Sequence, residues 1–407
     1  MTWTEGSAGV QEFLSDLAVR AGVADWFDYQ WETFEAECDS TEPQRCCLYY
    51  RTGAGKSATS LVLMAQWGAQ HVLVVAPPST HDTWEATAKQ LGVAVDCISH
   101  AKYRMKDYRI SRNQAMIVDE FHLLGGHGGK GWKKLDTMAR HLLAPLIIMS
   151  ATPNYNDADR VYCIQHVLDP HSCKGGFLEF LYRECITEQN HFSATPDVLG
   201  FQRFASAEEY LAALPHVHYV PDTLVYQIQD IDVPAYHSQP LDDYGYDERG
   251  HRMMASGIEE KHKRIFYGLI GDDGKLEWPA QDELRKLLSQ VKLPMLVYAN
   301  HSTVARAADL TLAEMGAGYR VALVTGDTPA KKKAARIAAF RDGVLDVLVG
   351  TASLATGTDG LDKVCDTLII LDDTDDDSLR RQLIGRIMPR GADADASNKQ
   401  VFRLLLT

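Results

Sequence analysis

The chain has 407 residues, of which 45% are hydrophobic and 24% charged, so it is long enough for two folded lobes. Its net charge of −14 excludes a generally basic surface, so any nucleic-acid contact must lie in a local groove. No apolar run approaches the roughly 20 residues that span a bilayer, and the polar start at residues 1–9 is unlike a signal peptide, so we expect an intracellular protein without membrane contact.

The first predicted elements are a helical region and a strand. Residues 10–37 have helical spacing and contain Gln30, and an apolar run at 46–50 then predicts a buried strand. Residues 57–68 have the apolar spacing of a helix that packs on a sheet. The strand and this helix are joined by the turn Arg51-Thr52-Gly53-Ala54-Gly55-Lys56-Ser57.

This turn has the residue types of a phosphate-binding loop. Gly53 and Gly55 allow tight bends that direct backbone N–H groups toward one anion, at the positive end of the helix dipole. Lys56 would reach the β- and γ-phosphates of ATP, and the Ser57 hydroxyl would ligate Mg²⁺. The full Walker pattern has Gly where this chain has Tyr50, and a glycine turn can also be a simple connection. We predict that ATP binds along residues 52–57.

Apolar runs and helical segments alternate along the rest of the chain, which predicts open, doubly wound parallel sheets. Strands of a first sheet are predicted at 46–50, 71–76, 95–98, 115–118 and 146–149. The strand rhythm lapses at about 154–222, which predicts a helical insertion, and a charged helical stretch follows up to about residue 292. Strands return at 295–298, 320–324, 345–349 and 368–371. We therefore predict two α/β lobes, residues 1–222 and 223–407.

Two adjacent carboxylates, Asp119 and Glu120, end the predicted strand at 115–118. An open α/β sheet places its ligands at this end of its strands. Asp119 would hold Mg²⁺ and Glu120 would polarise the water that attacks the γ-phosphate. A strand ending in two acids is also an ordinary polar transition to a loop, but the spacing of about 63 residues after Lys56 favours the catalytic interpretation.

The order of these patterns resembles helicase superfamily two, and the resemblance covers about residues 27–405. Gln30 matches the adenine-sensing glutamine of that family, residues 51–57 match its motif I, and residues 119–122 match a DExH form of motif II. Ser150-Ala151-Thr152 matches motif III. This implies that Ser150 and Thr152 couple ATP hydrolysis to movement along nucleic acid. The resemblance implies two RecA-like lobes with ATP and Mg²⁺ between them.

The remaining family motifs imply contacts to nucleic acid from both lobes and contacts to the nucleotide from the second lobe. The residues implied as nucleic-acid contacts are Thr80, Ser99, His100, Thr325 and Thr351. Asp359, in a sequence similar to motif V, is implied at the nucleotide, and Gln382 is implied to couple the two sites. Arg386 and Arg390 match the catalytic arginines of motif VI, although the family spaces them three residues apart and Pro389 makes helical continuity doubtful here.

Within the superfamily, the chain is most similar to the Swi/Snf-related branch and to phage- and restriction-type helicases. This implies a DNA-stimulated ATPase that translocates on duplex DNA with little sequence preference. A strand-unwinding or branch-migrating helicase is an alternative. A hydrolysis-deficient nucleic-acid-binding scaffold and a small-molecule P-loop kinase are alternatives of other classes, although a kinase would not need the arginines of the second lobe.

Three further clusters have simpler explanations than a site. Cysteine and histidine residues between 163 and 191 could be assembled into a zinc site, but they form no close CxxC pair. The acidic run at 372–377 is explained by a solvated loop. The glycine-rich stretch at 125–131 predicts a mobile loop, whose basic end at Lys130, Lys133 and Lys134 is an alternative DNA contact.

Overall fold

The computed structural model divides the chain into two compact units, residues 1–222 and 223–407. The described residues are 7–21, 26–38, 44–51, 53–105, 109–151, 158–172, 174–189, 195–220, 227–233, 244–246, 252–254, 269–270, 276–277, 280–315, 318–354, 360–373, 377–389 and 398–406. None of the helices within these ranges has both the length and the hydrophobicity needed to cross a bilayer.

The first unit is built on a parallel sheet. Its helices, α1 to α9, are Ser7–Ala21, Asp28–Ala36, Lys56–Gln66, His81–Leu91, His100–Arg104, Lys130–Ala139, Ala158–Leu168, Gly176–Glu184 and Ala207–Ala212. Its strands, β1 to β8, are Arg45–Tyr50, His71–Val75, Ala94–Ile98, Ala115–Val118, Leu146–Met149, Cys185–Glu188, Asp197–Phe201 and Val217–Val220. In the described part of the unit, the sheet order is β3-β2-β4-β5-β1-β8, with β6 and β7 paired as a separate antiparallel hairpin.

The central strands of this sheet are buried on both faces because helices cover each side. Along β1, Cys46 and Leu48 face the core formed with α1 to α4, whereas Cys47 and Tyr49 face the core formed with α6 to α9. Both faces need apolar side chains, so the strand is a continuous apolar run and does not alternate with polar residues. This explains why the sequence predicts the central strands well.

Residues 158–220 correct the predicted helical insertion. They contain α7 to α9, but also the β6–β7 hairpin and β8, which pairs with β1 at the edge of the main sheet. Tyr162, Phe180 and Tyr210 are buried in the core below the sheet. The segment is therefore one of the two helical layers of the unit and completes its sheet.

The second unit repeats this architecture with a second parallel sheet. Its helices, α10 to α13, are Gln281–Leu288, Ser302–Glu314, Ala330–Arg341 and Asp377–Gly385. Its strands, β9 to β18, are Ile228–Val233, Tyr244–Tyr246, Arg252–Met254, Leu269–Ile270, Leu276–Glu277, Met295–Ala299, Val321–Val324, Val347–Gly350, Thr367–Asp372 and Gln400–Leu406. Among the residues described, the sheet order is β15-β16-β14-β17-β18-β9, and all its pairs are parallel.

Two α/β units with parallel sheets confirm the predicted fold class. The stretch predicted as a charged helix up to residue 292 is different, because its described parts hold β9, two short antiparallel hairpins and α10. Arg403 on β18 binds Asp230 on β9 through two bonds of 2.8 Å, which joins the last strand of the chain to the first strand of the unit.

Phe180→Ala tests whether the 158–220 segment is part of the first unit's core. Phe180 is fully buried, so we expect its loss to lower the free energy of unfolding of this unit by about 3–5 kcal/mol in urea titration. Tyr182→Ala, on the same helix at 64% exposure, is the matched control and should change it by less than about 0.5 kcal/mol. Equal stability of the two variants would mean that the segment is an appended insertion.

Candidate active site

The candidate phosphate loop lies between β1 and α3. α3 begins at Lys56, and β1 is buried along its whole length. Gly53 has a φ of +81° and Gly55 a φ of +77°, in the left-handed region that residues with a Cβ rarely adopt. These bends lead the backbone into the amino end of α3, where the N–H groups of the first turn can bind a phosphate.

Gln30 packs against this loop from α2. Its side chain is buried, its Nε2 donates to Thr59 Oγ1 over 2.7 Å, and its Oε1 accepts from the Phe27 N–H over 3.0 Å. A Cβ added at Gly55 would lie 2.8 Å from Gln30 Nε2, which is closer than a normal contact. Gln30 can therefore reach α3 only because residue 55 has no side chain.

Tyr50, which replaces the first glycine of the Walker pattern, joins β1 to α2. Its ring is buried, and its hydroxyl lies 2.5 Å from Thr33 Oγ1. Tyr29 packs edge-on against it, with ring centroids 5.4 Å apart, and the Tyr29 hydroxyl donates to the Ala54 carbonyl over 3.2 Å. Burial raises the pKa of Tyr29 to about 12, so this hydroxyl keeps its proton and remains a donor. α2 is thus bonded to the strand before the loop and to the loop itself.

Lys56 holds its ammonium group beside the loop. Its Nζ donates to the carbonyl of Tyr50 over 3.1 Å and to that of Arg51 over 3.3 Å. A bound triphosphate would compete for these donors, because charge-assisted hydrogen bonds to phosphate are stronger than bonds to neutral carbonyls. The geometry therefore suits Lys56 to the predicted phosphate contact.

Asp119 and Glu120 follow β4, and only β5 separates β4 from β1 in the described sheet. Burial raises the pKa of the Asp119 carboxyl, the charge of Glu120 adds to the rise, and the charge of Lys56 opposes it. Trp84 Nε1 donates to Asp119 Oδ2 over 3.4 Å. Two neighbouring acids that repel each other in a buried position are a site that a cation stabilises.

The donor set for Mg²⁺ combines the Asp119 carboxylate with the Ser57 hydroxyl. Ser57 is half-buried in the first turn of α3, directly after Lys56. Both are hard oxygen ligands, and Mg²⁺ is commonly held by one or two such protein groups together with water and substrate phosphates. The residues present therefore fit Mg²⁺.

Glu120 is fixed by an unusual backbone and by two neighbours. Its φ of +46° and ψ of +51° place it in the left-handed region, which costs about 1 kcal/mol or more for a residue with a side chain. Ser150, which follows β5, donates to Glu120 Oε2 over 3.4 Å, and His122 Nδ1 lies 3.0 Å from Ser150 Oγ and 3.4 Å from the same carboxylate oxygen. The structure thus joins the acid pair to the predicted coupling residue Ser150.

His100, one of the predicted nucleic-acid contacts, is bonded to the backbone of the acid pair. Its side chain is buried at 6% exposure, and its Nε2 lies 2.8 Å from the Asp119 carbonyl. Burial lowers the pKa of His100, which favours the neutral ring. The ring therefore supports the backbone of the acid pair, and its role toward nucleic acid stays a prediction.

The other predicted nucleic-acid contacts follow one edge strand of each sheet and the strand beside it. Thr80 and Ser99 follow β2 and β3 and are half-buried; the Thr80 hydroxyl donates to the Pro77 carbonyl, and Ser99 caps α5. Thr325 and Thr351 follow β15 and β16 and are buried at 6% and 8% exposure. Within each unit, the candidates therefore lie at the carboxyl ends of two adjacent strands.

Two of the residues predicted for motif VI lie on α13 and directly after it. Gln382 and Arg386 are both buried, and α13 ends at Gly385, four residues before Pro389. Burial lowers the pKa of Lys333, and the charge of Arg386 lowers it further, so Arg386 acts electrostatically on Lys333. Four other predicted site residues lie outside the described residues: Thr52, Thr152, Asp359 and Arg390.

The weaker candidate sites have ordinary partners in the structure. Cys163 is buried in the core, and His166 Nε2 lies 2.9 Å from Asp136 Oδ1. Among the residues described, no three His, Cys, Asp or Glu side chains form a metal-binding group. The glycine-rich loop is bonded to α7 through His127. The His127 N–H donates to Asp159 Oδ1 over 3.0 Å, and the His127 Nδ1 contacts the same carboxylate.

Three residues of the site were not predicted from the sequence. Thr59, the partner of Gln30, lies one turn after Lys56 on the face of α3 toward α2, and that helical spacing is the only sequence signal for it. Tyr29 contacts the loop at Ala54, 25 residues later in the chain. Trp84 contacts Asp119, 35 residues later in the chain, and both contacts depend on the fold.

Comparison with known proteins supports this fold. Residues 280–391 match the family model for the helicase conserved C-terminal domain. No curated protein matches the chain by sequence. Solved structures with a similar fold include Saccharomyces cerevisiae Dbp5 bound to RNA and ADP BeF3, with a TM-score of 0.58 and 14% identity, covering 97% of this chain and 87% of that chain. Another is S. cerevisiae dbp5 l327v bound to gle1 h337r and ip6, with a TM-score of 0.53 and 12% identity, covering 99% and 89%.

The domain match and the two RecA-like parallel-sheet units together support helicase superfamily two. The matched domain is found in ATP-hydrolysing motors that bind nucleic acid and use ATP with Mg²⁺. This agrees with the predicted fold, enzyme class and cofactors.

Gly55→Ala tests the contact between Gln30 and the phosphate loop. The added Cβ must displace Gln30 from Thr59, so we expect the KM for ATP to rise by about tenfold or more. Gly68→Ala is the matched control, because Gly68 has a similar φ of +79° but no atom within 4 Å of the added Cβ. It should lose the same backbone stability and keep the wild-type KM. Equal KM values for the two variants would exclude the proposed contact.

Proposed function

We propose that this chain is a nucleic-acid-stimulated ATPase that uses ATP hydrolysis to translocate on duplex DNA without separating its strands. The observation that carries the proposal is the acid pair after β4, which is joined to Ser150 and lies one strand away from the phosphate loop. This arrangement supports hydrolysis of a bound triphosphate and its coupling to a second ligand.

Each residue of the first unit has a distinct part in the proposed reaction. The loop N–H groups and Lys56 bind the phosphates. Gln30, the residue implied to contact the adenine base, is bonded to Thr59 on α3. Glu120 accepts a proton from the attacking water. Its left-handed backbone fixes the direction of its side chain. Mg²⁺, held through Ser57 and Asp119, would neutralise charge on the phosphates.

His122 and Ser150 are the proposed link between hydrolysis and nucleic acid. Both contact the Glu120 carboxylate, so a shift of the segment after β5 changes the position of the general base. Phosphate contacts at Thr80, Ser99, Thr325 and Thr351 would provide binding without sequence preference. We propose that the polymer acts on the rate through this link.

RNA is the second candidate polymer. One structure with a similar fold is titled as Dbp5 bound to RNA. At 14% identity, that likeness covers the fold alone, so it is a reason to test RNA beside DNA. The resemblance of the sequence motifs to the Swi/Snf-related branch favours duplex DNA.

The ATPase rate with different polymers tests the proposed substrate. We expect duplex DNA to stimulate turnover with little sequence preference and strong salt dependence, because backbone contacts release counterions. The rate should be measured without polymer and with duplex DNA, single-stranded DNA and RNA. Stimulation by RNA alone would support the second candidate, and equal rates in all four would favour a metabolic ATPase.

Lys56→Ala and Glu120→Gln should both abolish turnover, but for different reasons. Lys56→Ala should weaken ATP binding, whereas Glu120→Gln should keep it, because only activation of the water is lost. Glu85→Gln, an exposed acid on α4, is the control and should behave as wild type. Wild-type turnover in Glu120→Gln would show that Glu120 is not the general base, and an inactive wild-type protein would favour the scaffold alternative.

Arg386→Ala tests the proposed arginine of motif VI. An arginine that stabilises charge in the transition state contributes about 10³ to 10⁵ in rate, so kcat should fall steeply while ATP affinity changes little. Arg381→Ala, at an exposed position on α13 just before Arg386, is the control and should keep most of the rate. If Arg390→Ala is as inactive as Arg386→Ala, both arginines act. If Arg386→Ala retains full kcat, the assignment is wrong.

A further inference from the structure

A cavity lies in the first unit, at the opposite end of the sheet's strands from the phosphate loop. Its volume is about 580 Å³, within the range of about 300–1,000 Å³ that is typical of small-molecule sites. Arg45 begins β1, Leu143 precedes β5 and His216 precedes β8, and all three line the cavity. The cavity therefore lies at the amino ends of these strands, whereas the nucleotide site lies at carboxyl ends.

Basic side chains dominate the charged lining of this cavity. Two arginines and three histidines face one carboxylate, and they are Arg45, Arg140, His141, His171, His216 and Asp169. Four leucines and two prolines provide the apolar part of the wall. Arg140 is paired with Asp136 and His216 contacts Glu37, so Arg45, His141 and His171 carry the basic character of the lining. It fits a ligand that has an anionic group and a compact apolar body.

Arg45 is the charged group at the base of β1. It is 8% exposed, and its Nη1 and Nη2 donate to the carbonyls of Val167, over 3.0 Å, and Ala139. None of the described residues bonds its Nε–H. A buried guanidinium that is only partly satisfied is costly unless another group or molecule completes its bonding.

Two more buried polar atoms lack a partner among the described residues, and both belong to residues that contact the lining from behind. His166 Nε2 lies 2.8 Å from Nη2 of the lining residue Arg140, and no described residue bonds its Nδ1. Glu37 Oε1 binds the lining residue His216 at 3.0 Å, and no described residue bonds its Oε2. Buried polar atoms are usually satisfied, and of the three atoms only Arg45 Nε is a donor on the lining that an anion can use.

We propose that this cavity binds a small organic anion, a carboxylate or a phosphate ester with a compact apolar body. The site is separate from the nucleotide loop and does not depend on the proposed ATPase function. The anionic group contacts the arginines and histidines, and the apolar body packs against the leucines and prolines.

The test is calorimetric titration of the full chain with benzoate, phenyl phosphate and the neutral analogue benzamide. At least one anion should bind with a stoichiometry of one, and benzamide should bind at least about tenfold more weakly. The titrations are repeated with excess ADP and Mg²⁺, which should leave anion binding unchanged. The anion that binds more tightly distinguishes a carboxylate site from a phosphate site.

Variants that reverse the charge of the lining complete the test. The double variant His141→Asp, His171→Asp changes two exposed lining residues and should weaken the anion by about tenfold or more. Lys89→Glu, exposed on α4, changes the charge by a similar amount outside the cavity and should bind as wild type. The proposal is overturned if neither anion binds, if benzamide binds equally, if ADP displaces the anion, or if the double variant keeps wild-type affinity.

Discussion

The contact between Gln30 and the phosphate loop depends on the missing side chain of Gly55. The left-handed backbone at this residue begins α3, and the space beside its Cα is occupied by the Gln30 amide. Gln30 is in turn bonded to Thr59, one helical turn further along α3. The base-recognition residue implied by the sequence and the phosphate-binding helix are therefore one packed unit, and the position of each constrains the other.

The positions of Asp119 and Glu120 are also fixed by contacts between separate elements of the fold. β5 lies between β4 and β1, so Ser150 at its end is placed between the acid pair and the phosphate loop. The order of strands thus brings together residues that are far apart in sequence, and hydrogen bonds through His122 and Ser150 then fix the Glu120 carboxylate. The strain at Glu120 is consistent with a functional position, because left-handed residues with side chains persist only where the surroundings hold them.

Burial decided how much of this could be predicted from the sequence. The central strands and the loop glycines were predictable, because strands covered on both faces are continuous apolar runs and tight turns need glycine. Two edge strands, β8 and β9, and the inner strand β18 were missed; β8 has one buried residue, and β9 exposes Asp230 and Asp232. The contact of His100 with the Asp119 backbone was not predicted, because it depends on tertiary packing. Tyr50 was interpreted as a departure from a pattern, since its partner Thr33 is identifiable only in the fold.

The most direct test of the account is whether Gln30 supports phosphate binding even when no base is present. The affinity of the wild type and of Gln30→Ala for inorganic tripolyphosphate with Mg²⁺ should be measured by calorimetry. If α2 and the phosphate loop are one packed unit, Gln30→Ala weakens tripolyphosphate by about fivefold, the effect of one lost hydrogen bond worth about 1 kcal/mol. If Gln30→Ala weakens ATP but leaves tripolyphosphate affinity unchanged, Gln30 contacts only the base and the account is contradicted.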